Sequence, residues 1–581
     1  MSRTKALRIA SLFLFSAWAL PTVGCSSSSS TPTGSSGATQ GSGGTTASGS
    51  GGAAQGSGGT TAQGSGGTTQ GSGGSSSSGS GGAASGGTTG TSSGGAPGTG
   101  GAVTSSGGAT GSGGAGGAAP GTGGATVVAK PALVTSGPSG YWQTGAQWTV
   151  VTSGNADVTV NDTSTAQTWE GFGGAFNEKG WSYVSMLSAT DRDAAIKLLF
   201  GDDGARFNMG RIPMGASDYA LDRYTLDEMA NDTSLTSFSI ARDMMNIIPY
   251  VKAALAQRSN IRFWASPWTP PTWMKSSPFT DGMPFDGGNM MDDDTILKTH
   301  AQYFVKFVQE YAKQGIAIEA VAPQNEPNYN TNYPSCLWAT ALYTKFVGKY
   351  LGPAFETAGT GTKIMLGTMS NANSDPAIVS AVLADATAKK YIAMVGMQWD
   401  MINKISGAQG FAVPIWQSEH KAGNCPFSGS ANCATITTDA SGKAPNDQAY
   451  GVESWNLIRD WIKAGITAYN AWNMILDTSG ISLDSKRAWL QNSLLVVDTS
   501  AKKLIITPAY YVFRHFSQFA DPGAKVVGTT GGDAIAFKNP DGSLIAVMYN
   551  SGAARKMTVA IAGKKLQFDM PASGWATVNT K

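Results

Sequence analysis

Between residues 168 and 520, short apolar runs rich in β-formers alternate with longer amphipathic stretches, and this alternation constrains the fold more than any other feature. Eight runs recur in order: "TWEGFGGAF", "FNMGRIPMG", "IRFWASPW", "IEAVAPQNEP", "KIMLGTMS", "IAMVGMQW", "VPIWQSEH" and "AYNAWNMIL". The stretches between them read as helices, among them "SATDRDAAIKLLF", "ARDMMNIIPYVKAALAQ", "ILKTHAQYFVKFVQEYAKQ", "ATALYTKFVGKYLGPAFE" and "DQAYGVESWNLIRDWIKAG", the last stopped by Gly465. "TPAYYVFRHFSQFADPG" supplies an eighth helix, with Thr507 as N-cap and Pro508 in its first turn. Parallel strands require such crossovers, and eight strand-helix units predict an α/β chain closed into a (β/α)8 TIM barrel over residues 169–521.

The flanks read differently. Residues 127–168 and 522–581 alternate apolar and polar positions around the turn signals "TTGG" and "NPDG", as antiparallel strands do. Neither flank makes a sandwich alone, so the N-terminal strands are expected to pair with the C-terminal ones in one appended β-sandwich. Residues 26–126 repeat "GSGG", "GGTT" and "GGAA" with almost no charge or aromatic side chains, so nothing offsets the entropy of ordering them. The expectation there is a disordered tether with an end-to-end distance on the order of 50–60 Å. Residues 1–25 have the layout of an export signal: Arg3, Lys5 and Arg8 precede the apolar "IASLFLFSAWAL" and then small residues before Cys25. "TVGC" resembles a lipobox with Thr22 in place of the usual Leu, so lipidation of Cys25 stands beside ordinary secretion with cleavage near it. Either way the chain is expected outside the cytoplasm, with the membrane reached only through such an anchor.

The 581 residues carry 40 basic and 38 acidic side chains, a formal net charge of +2, which gives a nucleic acid nothing to bind. Cys425 and Cys433 lie in one loop-like stretch, "GNCPFSGSANC", and in an oxidising compartment they are expected to form a local disulfide that leaves Cys336 unpaired. Three His (His300, His420 and His515) have no ligand-like spacing, so neither metal nor cofactor is expected. The acidic run in "MMDDDT" reads as a helix N-terminus rather than a calcium site.

In a TIM barrel, reactive groups sit at the carboxyl ends of strands. Glu326 ends the fourth run and Glu419 the seventh. Glycoside hydrolysis needs an acid to protonate the leaving oxygen and a second carboxylate to attack the anomeric carbon or activate water. Two Glu on barrel strand ends meet that need if the charge of one raises the pKa of the other. Asn325, beside Glu326, is placed to bond a sugar 2-hydroxyl. "NEP" alone is a weak motif, since most Glu residues are solvated surface charges.

Longer stretches carry a resemblance. "GFGGAF" (171–176), "RIPMGASDYA" (211–220), "ASPWTPPTWMK" (265–275), "NEP" (325–327), "SEH" (418–420), "AWNMILDTSG" (471–480) and "PAYYVFRHFSQFADPGAKVV" (508–527) run in the order found in glycoside hydrolase family 30. The chain resembles this clan A family, which includes glucosylceramidases, endo-β-1,6-glucanases and β-xylosidases, over about residues 169–581. The resemblance implies the barrel with its sandwich, a carbohydrate substrate, retention of configuration, Glu326 as acid/base and Glu419 as nucleophile. It also implies that Asp218, Trp268, Asn325, Trp399 and Trp472 line the sugar subsite. A carboxylate can accept two sugar hydroxyls and an indole face packs on a pyranose. The competing readings are an Asp218 that caps the next segment and tryptophans that belong to the core. Asp400 stands where the glucosylceramidase branch tends to have an aromatic, which weighs against a lipid-glucoside substrate; the expectation is a monomeric endo-β-1,6-glucanase-like enzyme, with glucosylceramidase and β-xylosidase as the alternatives in the family. The rival of another class is a surface glycan-binding protein without turnover.

Overall fold

The computed structural model describes residues 129–370, 377–399, 401–420, 448–483 and 490–581. The export segment with Cys25, the tether, Asp400, Cys425 and Cys433 lie outside the described residues. Eight strands close into a parallel barrel: Gly171–Ala175, Met209–Pro213, Arg262–Ser266, Ile318–Val321, Lys363–Met369, Ile392–Gln398, Ile415–His420 and Ala468–Asn473. Each lies within one of the eight runs. The last strand pairs with the first through Ala468↔Gly171 and Tyr469↔Phe172, which completes the ring.

Because side chains alternate along a strand, every second residue faces the barrel axis. Met209, Trp264, Ala320, Ala322, Met365, Met394, Trp416 and Ala468 pack together there as a solid plug. Their neighbours Ile212, Phe263, Val321, Val395 and Ile415 face the helices in the main core. The same alternation carries Arg211, Ser266, Gln398 and Trp472 onto the inner face, above the plug, at the carboxyl end.

The helices follow their local signals. Asp293 caps Asp294–Lys313 by accepting from Thr295 N and Ile296 N, while Asp292 and Asp294 both accept from Lys345 Nζ. Thr507 caps Pro508–Ser517 and accepts from Tyr510 N. Gly465 closes Gln448–Lys463 with φ +100°. Two helices depart from expectation. The one predicted from Ala241 begins at Ile247, because Pro249 has no N–H for an upstream carbonyl and fits only the first turn. The stretch 339–356 divides into Thr340–Lys345, a π-turn Phe346–Leu351, and Gly352–Ala358, where Pro353 again breaks the hydrogen-bond ladder.

Both chain ends build the sandwich. Leu133–Gly137 pairs antiparallel with Gly574–Asn579, Thr149–Val151 with Lys564–Met570, and Val158–Thr168 with Lys525–Thr530. Met557, Val559, Leu566 and Phe568 share one buried cluster with Leu133, Ala546, Met548 and Val578. His515, on the last barrel helix, bonds Ser136 Oγ (2.9 Å) and Thr577 Oγ1 (2.8 Å), so one ring ties the two termini to the barrel.

Candidate active site

A buried arginine organises the carboxyl end of the barrel. Arg211 Nη1 donates to Glu419 Oε2, Nη2 donates to Asn325 Oδ1 (2.6 Å) and Ser266 Oγ (2.9 Å), and Nε donates to Ser266 Oγ (3.2 Å). Its guanidinium carbon lies 4.2 Å from the Trp268 ring centroid, 4.8 Å from Trp264 and 5.4 Å from Trp472. Trp268 and Trp472 stack on each other at 5.2 Å. Both are buried, together with Ala175, Tyr219 and Leu476, and Tyr333 and Trp399 close the cluster toward solvent.

The two glutamates are held differently. Glu419 accepts from Arg211, from Trp399 Nε1 (2.9 Å) and from Gln398 Nε2 (3.2 Å). Burial pushes its pKa up, while Arg211 and Trp399 act against that shift by stabilising the anion. Among the described residues, Glu326 accepts from neutral donors, Tyr333 Oη (2.8 Å) and the Ser370 hydroxyl. Burial, then the charge of Glu419, push Glu326 up to about 7. Glu419 thus stays above its ordinary value, but with a cation and an indole N–H that favour its anion against burial, whereas Glu326, with no cation bonded to it among the described residues, is protonated up to near neutrality.

Asn325 Oδ1 receives three donors, from Arg211, Thr368 Oγ1 (3.0 Å) and Gln398 Nε2 (2.9 Å). Its acceptor is thus saturated, and its NH2 is left to donate to a ligand hydroxyl. Asp218 is buried beside the pair, and burial together with the charges of Glu419 and Glu326 raises its pKa well above the carboxylate range. Glu326 and Trp399 have φ of +48° and +42°, a region that non-glycine residues occupy only when their surroundings fix them there. Here Glu326 N donates to Thr368 O (2.9 Å) and Trp399 N to Glu419 O (3.2 Å).

The family model of the glycosyl hydrolase family 30 TIM-barrel domain matches residues 169–520. The chain belongs to glycosyl hydrolase family 30. The family's β-sandwich domain matches residues 523–578. Lysosomal acid glucosylceramidase of Mus musculus is 27% identical over 418 residues, 68% of this chain and 77% of that one. Endo-1,6-β-D-glucanase BGN16.3 of Trichoderma harzianum is 26% identical over 424 residues, 68% of this chain and 80% of its own. The solved endo-β1,6-glucanase BT3312 shares the fold with a TM-score of 0.65 at 24% identity, over 77% of this chain and 98% of that structure.

The residues that the sequence singles out in this family 30 chain, Asp218, Trp268, Asn325, Glu326, Trp399, Glu419 and Trp472, converge on one site. Three of them do more than line it. The Trp399 indole N–H is engaged by Glu419, and the stacked faces of Trp268 and Trp472 are engaged by each other and by Arg211. The residue that sequence reasoning passed over is Arg211, followed by Tyr333 and Gln398. Arg211 had a signal: in "NMGRIP" it falls two places after Met209, on the inward face of a barrel strand, where a charge needs a partner. Among the described residues no group of three or more His, Cys, Asp and Glu side chains is placed to hold a metal ion, and Cys336 is a buried free thiol.

Proposed function

We propose that this glycoside hydrolase is an exported, retaining β-glycosidase that cleaves β-glucosidic bonds, with a β-1,6-glucan as substrate. Glu419 attacks the anomeric carbon as the bond to the leaving oxygen breaks, and Glu326 gives that oxygen its proton. A covalent glucosyl ester on Glu419 results. Water then attacks the same carbon, Glu326 takes the water's proton, and Glu419 leaves with its electron pair. The product keeps the β configuration.

The observation that carries this reading is the unequal environment of the two carboxyls. Arg211 and the Trp399 indole favour an anion at Glu419, while burial beside that anion keeps Glu326 protonated to about 7. A nucleophile and an acid are needed in those two states at the same pH. Asn325 and Asp218 stand beside them, a donor and a carboxyl suited to sugar hydroxyls. Glucosylceramidase and endo-1,6-β-D-glucanase relatives both take their names from a glucosyl unit, which supports glucose at the cleaved position. The second reading, a glucosyl-lipid substrate, is favoured by the similarity to the mouse glucosylceramidase. Export and surface tethering through Cys25 rest on the sequence of the first 126 residues.

Product profiles on pustulan, laminarin, xylan and glucosylceramide, with NMR of the first-formed anomer, test this. Release of β-anomeric gluco-oligosaccharides from pustulan is the expected result. A first-formed α anomer overturns retention, and glucose from glucosylceramide with none from pustulan overturns the glucan assignment. Binding of glycan with no turnover of any substrate would leave only the non-catalytic surface protein.

A further inference from the structure

The rim of the barrel holds a buried lysine that the chemistry above does not use. Lys275 opens the strand Lys275–Phe279, which pairs with Gly287–Met290 in a hairpin beyond the third barrel strand. Its Nζ donates to the carbonyl oxygens of Phe285 (2.9 Å), Gly287 (2.8 Å) and Ser335 (3.0 Å). An ammonium has three donors, and all three are engaged. The first two acceptors belong to the hairpin, and the third belongs to the loop after the fourth barrel strand.

Other bonds converge on the same joint. Gly287 N donates to Ser335 Oγ (2.8 Å), and Ser335 N donates to Phe285 O (3.2 Å). Between them Asp286, fully buried, accepts from Arg223 Nε (2.9 Å) and Nη2 (2.6 Å), and Arg223 comes from the loop after the second strand. Arg223 Nη2 also reaches Asn332 O (3.4 Å). The loop segment gripped from both sides, Asn332 to Ser335, contains Tyr333, whose hydroxyl bonds Glu326.

An apolar side chain at 275 could fill the space but could not join three carbonyls from two loops. Burial pushes the Lys275 ammonium down to about 8, so the cation is retained at neutral pH against a desolvation cost, with Asp286 nearby acting to hold it. We propose that Lys275 is a positioning residue: it ties the third-strand hairpin to the fourth-strand loop and so holds the Tyr333 hydroxyl on Glu326. This rests on the reading of Glu326 as acid/base. Among the described residues, the charged and titratable groups facing Glu326 are Glu419, Arg211, Asp218 and Tyr333, and those facing Lys275 are Asp286, itself paired with Arg223, and Cys336.

The Tyr333 bond stabilises ionised Glu326, so its loss raises the pKa of that carboxyl and moves the alkaline limb of kcat/KM to higher pH. Tyr333→Phe is expected to move the limb up by about half a pH unit to one unit. Lys275→Met is expected to move it in the same direction, and the double variant no further than the larger single shift. Lys275→Met also lowers the rate on an alkyl β-glucoside by about tenfold while sparing a dinitrophenyl β-glucoside, because only the former depends on the acid. A lysine that served stability alone would change Tm and leave the limb in place. A wild-type limb in Lys275→Met beside a shifted one in Tyr333→Phe overturns the proposal, as do additive shifts in the double variant or an unmoved limb in Tyr333→Phe. Should Lys275→Met not fold, Lys275→Gln keeps two donors and is expected to give a smaller shift of the same sign; an unmoved limb there also overturns it. Failure of the acid/base reading is seen separately, in a Glu326→Gln variant that loses activity equally on both glucosides.

Discussion

The N-terminal mouth of the barrel carries Glu170, Glu319, Arg262 and Lys363, and the C-terminal mouth carries Asp218, Glu326, Glu419 and Arg211. At the N-terminal mouth two anions meet two cations. Arg262 grips Glu319 through Nε (2.6 Å) and Nη2 (2.9 Å) and reaches Glu170 (3.0 Å), Lys363 adds a bond to Glu319 (3.0 Å), and Trp416 and Thr467 complete Glu170. Burial pushes Glu319 up, but Arg262 and Lys363 outweigh it and hold its carboxyl below the usual range. At the C-terminal mouth three carboxyls lie around the Arg211 guanidinium in a more deeply buried place, and the surplus appears as raised pKa values at Glu326, Asp218 and Glu419 alike, with Arg211 opposing the shift most at Glu419. A single fold thus spends balanced charge on holding its strands and unbalanced charge on reactivity.

The comparison breaks most visibly at Glu419. Glu419→Ala is expected to lower kcat/KM by more than about 10³-fold while the purified protein keeps its near-UV circular dichroism, and added azide is expected to restore turnover as an α-glucosyl azide. Comparable rates in variant and wild type would remove Glu419 from the chemistry. Glu326→Gln is expected to lose about 10²–10⁴-fold on substrates with poor leaving groups and far less on dinitrophenyl β-glucoside, as steady-state rates on the two will show. Arg211→Met removes the cation bonded to Glu419. Its loss is expected to lower kcat about 10²-fold at neutral pH, because Glu419 becomes harder to ionise, and to destabilise the fold by about 3–5 kcal/mol in denaturant titration.

For the wild type, activity on poor leaving groups should fall as pH rises through about 7, where Glu326 loses its proton. The opposite sign holds at the N-terminal mouth. Glu319 has a depressed pKa, so its stabilisation is present above the unfolded value and is lost as pH falls through the folded one. Glu319→Gln is therefore expected to leave kcat within about twofold and to reduce stability at pH 7 by about 1 kcal/mol, with the difference from wild type shrinking in acid, as thermal melts at several pH values will show.

The parts of this account that the sequence made legible are those written in local pattern. Strand runs ending in polar residues located Glu326 and Glu419, and turn signals at Gly531, Gly532 and Gly542 marked the hairpins of the sandwich. What stayed hidden depends on partners far apart in the chain. Arg211 finds Glu419 across 208 residues and Asn325 across 114, and nothing local distinguishes its charge from a surface arginine except its place on the inner face of a strand. Trp399 was legible as a cleft aromatic but not as a donor to Glu419, because the fixed φ that aims its N–H is a property of the closed barrel. Lys275 reads as one more lysine after "PTWM", and only the packed rim shows the carbonyls it joins.

The most direct measurement is to incubate the enzyme with 2-deoxy-2-fluoro-β-glucosyl fluoride, whose ester turns over slowly, and to map the adduct by peptide mass spectrometry. The asymmetry between the two carboxyls predicts one fluoroglucosyl group per chain, carried on Glu419. A label on Glu326 or elsewhere, or an unlabelled enzyme that still hydrolyses β-glucosides, would contradict it.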